Sequence, residues 1–129
     1  MKELFDKVCA DCSRNVTKTY STSFSLATRM LSKNIRQDIY NIYGFVRFAD
    51  EIVDTFHNYD KEILLNRFID ELEYSLKNDI SLNPILNSFQ ITVKKYNIDK
   101  HLIDSFLSSM RLDLEKKEYS NYEDYKSYI

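Results

Sequence analysis

Four side chains near the middle of the chain have the types and spacing of a charged binding site. Tyr43, Arg47, Asp50 and Asp54 are separated by four, three and four residues, with Glu51 at the edge of the same series. On an α-helix this spacing forms one narrow stripe. Two aspartates one turn apart offer the hard oxygen ligands that Mg²⁺ prefers. The alternative is structural, because arginine and aspartate at these intervals also form ion-pair ladders.

The segment that carries this stripe is apolar on nearly every other side. Its apolar residues are Ile39, Ile42, Phe45, Val46, Phe48, Ala49, Ile52 and Val53. A helix of this kind is expected to be buried. Two buried carboxylates raise each other's pKa and are costly unless a positive charge neutralises them. Arg47 can neutralise one of them, and a divalent cation can neutralise both.

The composition predicts an all-α protein. The 129 residues include one Gly and one Pro, and 43% are hydrophobic and 29% charged. This length favours one domain, and so few turn residues favour long helices in an antiparallel bundle. The net charge of −2 argues against nucleic-acid binding. We expect a cytoplasmic chain, because no apolar run approaches a membrane span and the N-terminal segment does not resemble a signal peptide.

Apolar periodicity and capping residues predict the helices and the joints between them. A polar joint, TKTYSTSFS, is predicted after the first helix. Asn83 with Pro84 is expected to begin one helix, and Asp99 to cap the next. The predicted helices run from Lys2 to about Lys18, Lys33 to Phe56, Tyr59 to Lys77, Pro84 to Tyr96, Lys100 through Met110, and from near Asn121 to the last residue.

Cys9 and Cys12 form a single CxxC pair. A redox pair or half of a zinc site is conceivable, but no second CxxC occurs and the two histidines, His57 and His101, are distant in sequence. The pattern therefore favours two thiols one helical turn apart, with no role assigned.

Three motifs in one register carry a family resemblance. The first is an S-x-S-F element, formed by Ser21, Ser23 and Phe24. The second is the pattern Y-x-x-x-R-x-x-D-[DE]-x-x-D that begins at Tyr43, and the third is the later segment SSMRLDLEKKEYSNYEDYKSYI. Together they resemble the squalene and phytoene synthase family, which condenses prenyl diphosphates head to head.

The resemblance implies an all-α isoprenoid synthase fold around a cavity, with Mg²⁺ ions that hold the substrate's diphosphate. It implies that Asp50 and Asp54 bind metal, with Glu51 where the family often has Asp. It further implies diphosphate contacts for Tyr43, Arg47, Ser21 and Ser23, and a border of the prenyl cavity for Phe24 and Leu26. The alternatives are that Ser21 and Ser23 cap a helix, and that Phe24, Leu26 and the tyrosines are ordinary core.

The implied reaction is the condensation of two geranylgeranyl diphosphates to phytoene. Squalene or dehydrosqualene formation from farnesyl diphosphate is the alternative within the family. A chain-elongating prenyltransferase, a terpene cyclase and a non-catalytic helical interaction protein of the same lineage are the other classes considered.

Family members are longer, and their second aspartate-rich motif would follow Ile129. We therefore expect residues 1–129 to be the N-terminal portion of a synthase and to be inactive alone. An uncovered apolar cavity wall would favour self-association. An apolar product would favour peripheral contact with a membrane.

Overall fold

Six α-helices make up the part of the chain that the structure describes. The computed structural model describes residues 1–127, with side chains for residues 1–116, and no strand occurs in this part. This confirms the all-α prediction. The helices are α1 (Lys2–Tyr20), α2 (Thr22–Arg29), α3 (Lys33–Asp54), α4 (Lys61–Asn78), α5 (Pro84–Tyr96) and α6 (Lys100–Ser127).

The two predicted capping sites are confirmed. Asn83 Oδ1 accepts hydrogen bonds from the backbone N–H groups of Ile85 at 3.0 Å and Leu86 at 3.2 Å, with Pro84 in the first helical position. Asp99 Oδ1 accepts from the His101 N–H at 2.8 Å. Each oxygen satisfies donors that have no partner within the first turn of a helix.

Two predicted joints are wrong. The segment TKTYSTSFS is helical except at Ser21, whose extended backbone (φ −147°, ψ 93°) separates α1 from α2. Polarity alone did not break these helices, because Ser21 satisfies the backbone at the junction. No break occurs near Asn121, because α6 continues from Lys100 to Ser127. That sequence contains neither Gly nor Pro, so nothing in it forces the helix to end.

The chain divides into two compact units that share α3 and α4. The first consists of residues 1–48 and 70–98, and the second of residues 49–69 and 99–129. None of the helices in the described part of the chain is long and apolar enough to cross a membrane.

In the first unit, α5 runs antiparallel to α3. Asp38, early in α3, is bonded to Lys95 near the end of α5. Phe45, further along α3, stacks on Phe89 at a ring-centroid distance of 3.9 Å. Both phenylalanines are buried, as is Leu86. Stacked aromatic rings and aliphatic side chains therefore form the centre of this unit.

A network of buried polar groups also joins α3 to α5. Asn41 Nδ2 donates to Thr92 Oγ1 at 3.0 Å, and Thr92 Oγ1 donates to Asp38 Oδ1 at 2.9 Å. Gln37 Nε2 donates to the Ala10 carbonyl of α1 at 3.0 Å. Buried polar groups need such partners, and the network therefore fixes how these helices pack.

The second unit has its own apolar core. It is built from Ala49, Ile52, Val53, Leu65, Phe68, Ile103, Leu107 and Leu114. Ile63 of α4 and Leu102 of α6 lie outside this core, because both side chains are exposed. Arg111 Nη2 donates to Asn66 Oδ1 at 2.7 Å and adds a polar link between α6 and α4.

Candidate functional site

The S-x-S-F element forms the N-terminus of α2. Ser21 is the N-cap, and its Oγ accepts a hydrogen bond from the Phe24 N–H at 3.2 Å. The capping alternative for Ser21 is therefore confirmed. Ser23 is exposed and lies within the first turn. The cap fixes the backbone that carries both hydroxyl groups.

Two aromatic contacts connect this element and the preceding residue, Tyr20, to α3. Phe24 stacks on Tyr43 with ring centroids 4.9 Å apart and an interplanar angle of 23°. The guanidinium carbon of Arg47 lies 5.0 Å from the centroid of the Tyr20 ring, which is a cation–π contact. The first unit therefore brings Ser21, Phe24, Tyr43 and Arg47 into one region.

The acidic residues lie at the C-terminal end of α3, in the second unit. Asp50 and Glu51 are half-buried, and Asp54, the last residue of the helix, is exposed. Glu51 Oε2 accepts a hydrogen bond from Thr55 Oγ1 at 2.7 Å. Because α3 is continuous, its periodicity places Asp50 and Asp54 on the same side of the helix.

The expectation that this helix is buried is wrong in one respect. Its buried residues are Asp38, Tyr40, Asn41, Gly44, Phe45, Ala49, Ile52 and Val53. Tyr43, Arg47 and Asp50 are half-buried, and Asp54 is exposed because the helix ends there. Asp54 is therefore accessible to water and to a ligand, and its charge carries little desolvation cost.

The helix dipole by itself disfavours carboxylates at this end of α3. The C-terminus of an α-helix carries partial negative charge, which favours basic side chains there. The last turn of α3 contains no basic residue. Lys61, buried at the start of α4, donates from Nζ to the Val53 carbonyl at 2.8 Å and contacts His57 Nδ1 at 3.1 Å. A residue of the next helix thus satisfies one terminal carbonyl of α3.

The donor set fits one side of a magnesium site. Asp50, Glu51 and Asp54 supply carboxylate oxygens, and Mg²⁺ commonly takes one or two protein carboxylates and completes its shell with water and phosphate oxygens. Within the described residues, no three His, Cys, Asp or Glu side chains are grouped closely enough to hold a metal ion. The helix therefore offers part of a coordination shell.

Leu26 lies in α2. It is 55% exposed and borders a cavity of about 210 Å³ with Lys18, Thr22, Ser25 and Arg29.

Sequence reasoning missed two residues that shape this region. Tyr20 immediately precedes the S-x-S-F element and packs against Arg47. Its position beside a recognised motif was an available signal. No signal in the sequence marked Lys61, because a lysine at the start of a helix is usually exposed.

The cysteines have the local arrangement that the spacing predicted. Both lie in α1 and are free thiols, with Cys9 buried and Cys12 half-buried. Burial raises the pKa of the Cys9 thiol, although a hydrogen bond with Asn87 acts in the opposite direction. A raised pKa disfavours the thiolate that redox chemistry requires.

The described fold and its stripe define an all-α protein with carboxylates, a guanidinium and hydroxyl groups on or beside one long helix. The chain belongs to the squalene/phytoene synthase family, whose model matches residues 17–129. That range contains every residue of the candidate site, and this confirms the family resemblance.

Individual relatives are similar over nearly the whole chain. Phytoene synthase 1 of Zea mays is 27% identical over 129 residues, which cover 99% of this chain and 30% of the relative. Phytoene synthase 1 of Solanum lycopersicum is 26% identical over 125 residues, or 96% of this chain and 29% of the relative. Phytoene synthase of Rhodobacter capsulatus is 27% identical over 116 residues, which cover 89% of this chain and 34% of the relative. The chain thus spans about a third of the length of these relatives.

Proposed function

We propose that the α3 stripe, defined as Tyr43, Arg47, Asp50 and Asp54, binds the diphosphate of a prenyl diphosphate together with Mg²⁺. The observation that carries the proposal is the group of acidic residues at the C-terminal end of α3, in a turn without basic residues. A bound cation would add to the positive charge that Lys61 Nζ brings to this terminus, and would offset the repulsion among the carboxylates. The expected reaction class of the whole protein is head-to-head prenyl transfer.

The side chains of the first unit provide donors for an anionic substrate. Arg47 can form charge-assisted, bidentate hydrogen bonds with phosphate oxygens, and its contact with Tyr20 restricts its motion. Ser21 uses an oxygen lone pair for the cap, so its hydroxyl proton remains able to donate. Ser23 and Tyr43 carry two further hydroxyl groups.

The carboxylates hold the cation in this proposal. Asp50 and Asp54 are the proposed magnesium ligands, with Glu51 as the third acidic group. When bound, Mg²⁺ supplies Lewis-acid stabilisation of the charge that develops on the leaving diphosphate.

Aromatic surface beside the stripe suits an allylic prenyl chain. The stacked pair Phe24 and Tyr43 presents ring faces, which can stabilise a developing allylic cation where water is excluded. We favour geranylgeranyl diphosphate and phytoene as substrate and product, because the relatives are phytoene synthases. Farnesyl diphosphate remains the alternative substrate.

A magnesium-dependent thermal shift tests the binding. The 129-residue chain is heated with inorganic diphosphate, or with the unreactive thio-diphosphate analogue of geranylgeranyl or farnesyl diphosphate, with Mg²⁺ or with a chelator. We expect stabilisation only with Mg²⁺ and a larger shift for the geranylgeranyl analogue. Ligand at about one hundred times its dissociation constant stabilises by about 2.7 kcal/mol.

Matched variants decide where the ligand binds. Asp50→Asn and Asp54→Asn should remove the magnesium-dependent shift, whereas Asp70→Asn, an exposed acid of α4, should keep it. Equal thermal shifts in the wild type and all three variants would contradict the proposal and favour a non-catalytic helical protein of the same lineage. Product analysis with the same chain tests the expectation that it forms no phytoene alone.

A further inference from the structure

A strongly basic cavity lies in the first unit, near the start of α3. It has a volume of about 440 Å³. Four of its six lining residues are cationic and none is acidic, although the whole chain has 20 acidic and 18 basic residues. The lining residues are Arg14, Arg29, Lys33, Arg36, Gln37 and Tyr40. Composition alone does not explain this concentration of positive charge.

The positive charges are poorly neutralised by the chain itself. The side chains of Arg14, Arg29 and Lys33 are exposed and make no hydrogen bond or ion pair within residues 1–116, whose side chains are described. Asp11 is the adjoining acid, and it borders a neighbouring cavity together with Arg14. Like charges around one cavity repel each other, so a bound anion would stabilise this arrangement.

Arg36 fixes the backbone beside the basic cavity. Its Nε donates to the Leu31 carbonyl at 2.9 Å and its Nη2 to the Arg29 carbonyl at 2.6 Å. These bonds fix the loop between α2 and α3, which is flanked by Arg29, the last residue of α2, and Lys33, the first residue of α3. Part of the conformational cost of binding is therefore met before a ligand arrives.

The N-terminus of α3 adds to the positive potential. The helix begins at Lys33, and its first turn contains no acidic residue. Ser32 already accepts hydrogen bonds from the N–H groups of Asn34 at 3.4 Å and Ile35 at 3.1 Å, so the helix dipole is what favours a negative ligand at this end. The terminus and the partnerless cations therefore attract the same kind of ligand.

We propose that the basic cavity, defined by Arg14, Arg29, Lys33 and Arg36, binds a phosphate group. The group can belong to free phosphate or diphosphate, or to the headgroup of a phosphomonoester lipid. A lipid source fits the neighbouring residue Met30, whose side chain is 88% exposed beside Arg29. The site is separate from the α3 stripe, because Arg36 and Arg47 are eleven residues, about 16 Å, apart along one helix.

Calorimetric titration of the 129-residue chain with inorganic phosphate and diphosphate tests the free-anion source. The buffer contains a chelator, so binding that needs Mg²⁺ at the α3 stripe does not contribute. We expect Arg29→Gln/Lys33→Gln to weaken binding about tenfold or more, the loss expected for charge-assisted hydrogen bonds. Arg14→Gln, on a different helix, should weaken it as well.

Two matched controls locate the effect. Arg67→Gln/Lys77→Gln removes the same charge from exposed positions of α4 and should leave the affinity unchanged. Asp50→Asn should also leave it unchanged, so failure of this site and failure of the proposed function are distinguishable. Circular dichroism verifies that each variant keeps its helicity.

Sedimentation with phosphatidylcholine vesicles, with and without phosphatidic acid, tests the lipid source. Binding only to phosphatidic acid vesicles, lost in Arg29→Gln/Lys33→Gln and kept in Arg67→Gln/Lys77→Gln, assigns the phosphate to a lipid headgroup. Binding in solution assigns it to a free anion. The proposal is overturned if neither form of phosphate binds, or if both double variants weaken binding equally.

Discussion

Asp38 and Asp54 lie on the same helix in opposite physical environments. Asp38 is buried and accepts hydrogen bonds from Thr92 Oγ1 at 2.9 Å, Lys95 Nζ at 2.7 Å and the Tyr96 hydroxyl at 2.7 Å. Asp54 is exposed at the end of the helix. The first carboxylate is saturated by donors from α5, whereas the second is open to solvent. One stabilises the fold, and the other is accessible to a ligand.

The titration of Asp38 reflects this structural role. Burial by itself raises the pKa of Asp38, but the hydrogen bonds from Lys95, Tyr96 and Thr92 outweigh it and hold that pKa below its ordinary value. Asp38 therefore stays ionised while buried. The same ion pair raises the pKa of Lys95. A satisfied buried carboxylate thus needs neither metal nor substrate.

The largest expected effect is the loss of stability in Asp38→Asn. The variant keeps the shape of the side chain and removes the charge that three donors surround. Hydrogen bonds to a charged group contribute about 1.5–3 kcal/mol, so we expect a loss of about 2 kcal/mol. This corresponds to a fall in Tm of about 8 °C for a chain of this size, measurable by circular dichroism. An unchanged Tm would remove the distinction between the two aspartates.

Acid should reduce the difference in unfolding free energy between the wild type and Asp38→Asn. Because the folded-state pKa of Asp38 is lowered, its stabilisation is complete above the unfolded pKa of about 3.9 and is lost as pH falls through the folded value. Urea unfolding of the wild type and Asp38→Asn should therefore differ by about 2 kcal/mol at pH 7 and converge below about pH 4. A gap independent of pH would show that the charge is not its cause.

A smaller effect is expected at the N-terminus of α2. Ser21→Ala removes the cap and should cost about 1 kcal/mol in the free energy of unfolding. Ser23→Ala is the matched control, because its side chain is exposed and should be neutral to within about 0.5 kcal/mol. Equal losses in both variants would contradict the assignment of Ser21 as the cap.

The smallest expected effect is that of Asp54→Asn without ligand. Its charge is exposed, and exposed charges contribute little to stability, so the change should lie within about 0.5 kcal/mol of zero. The measurement is urea unfolding at pH 7 in chelator. A loss comparable with that of Asp38→Asn would make Asp54 a structural residue.

Much of the helical framework was predictable because it depends on local interactions. Asn83 with Pro84 and Asp99 satisfy N–H groups of adjacent residues, and both helix starts are confirmed. The spacing of Tyr43, Arg47, Asp50 and Asp54 likewise requires only a continuous helix. A cap at Ser21 was one of the alternatives that the sequence offered, but the helical state of the polar residues on either side was not predicted, because polar composition favours a joint.

The burial of individual polar residues was not predictable from the same patterns. Asp38 and Thr92 are 54 residues apart in sequence, and their hydrogen bond exists only because α3 and α5 pack together. Lys61 is buried only because it reaches the Val53 carbonyl. Periodicity identifies apolar faces, but a polar side chain can be buried wherever another element supplies its partner.

By itself, the sequence determined the all-α class, two helix caps and the series of acidic residues on α3, because each follows from contacts within a few residues. Its motifs also determined the family. Only the tertiary structure decided that Asp38 is a structural anion, that Tyr20 packs against Arg47 and that four cations surround one cavity. These features join residues from different helices, and helical periodicity contains no information on which helices become neighbours.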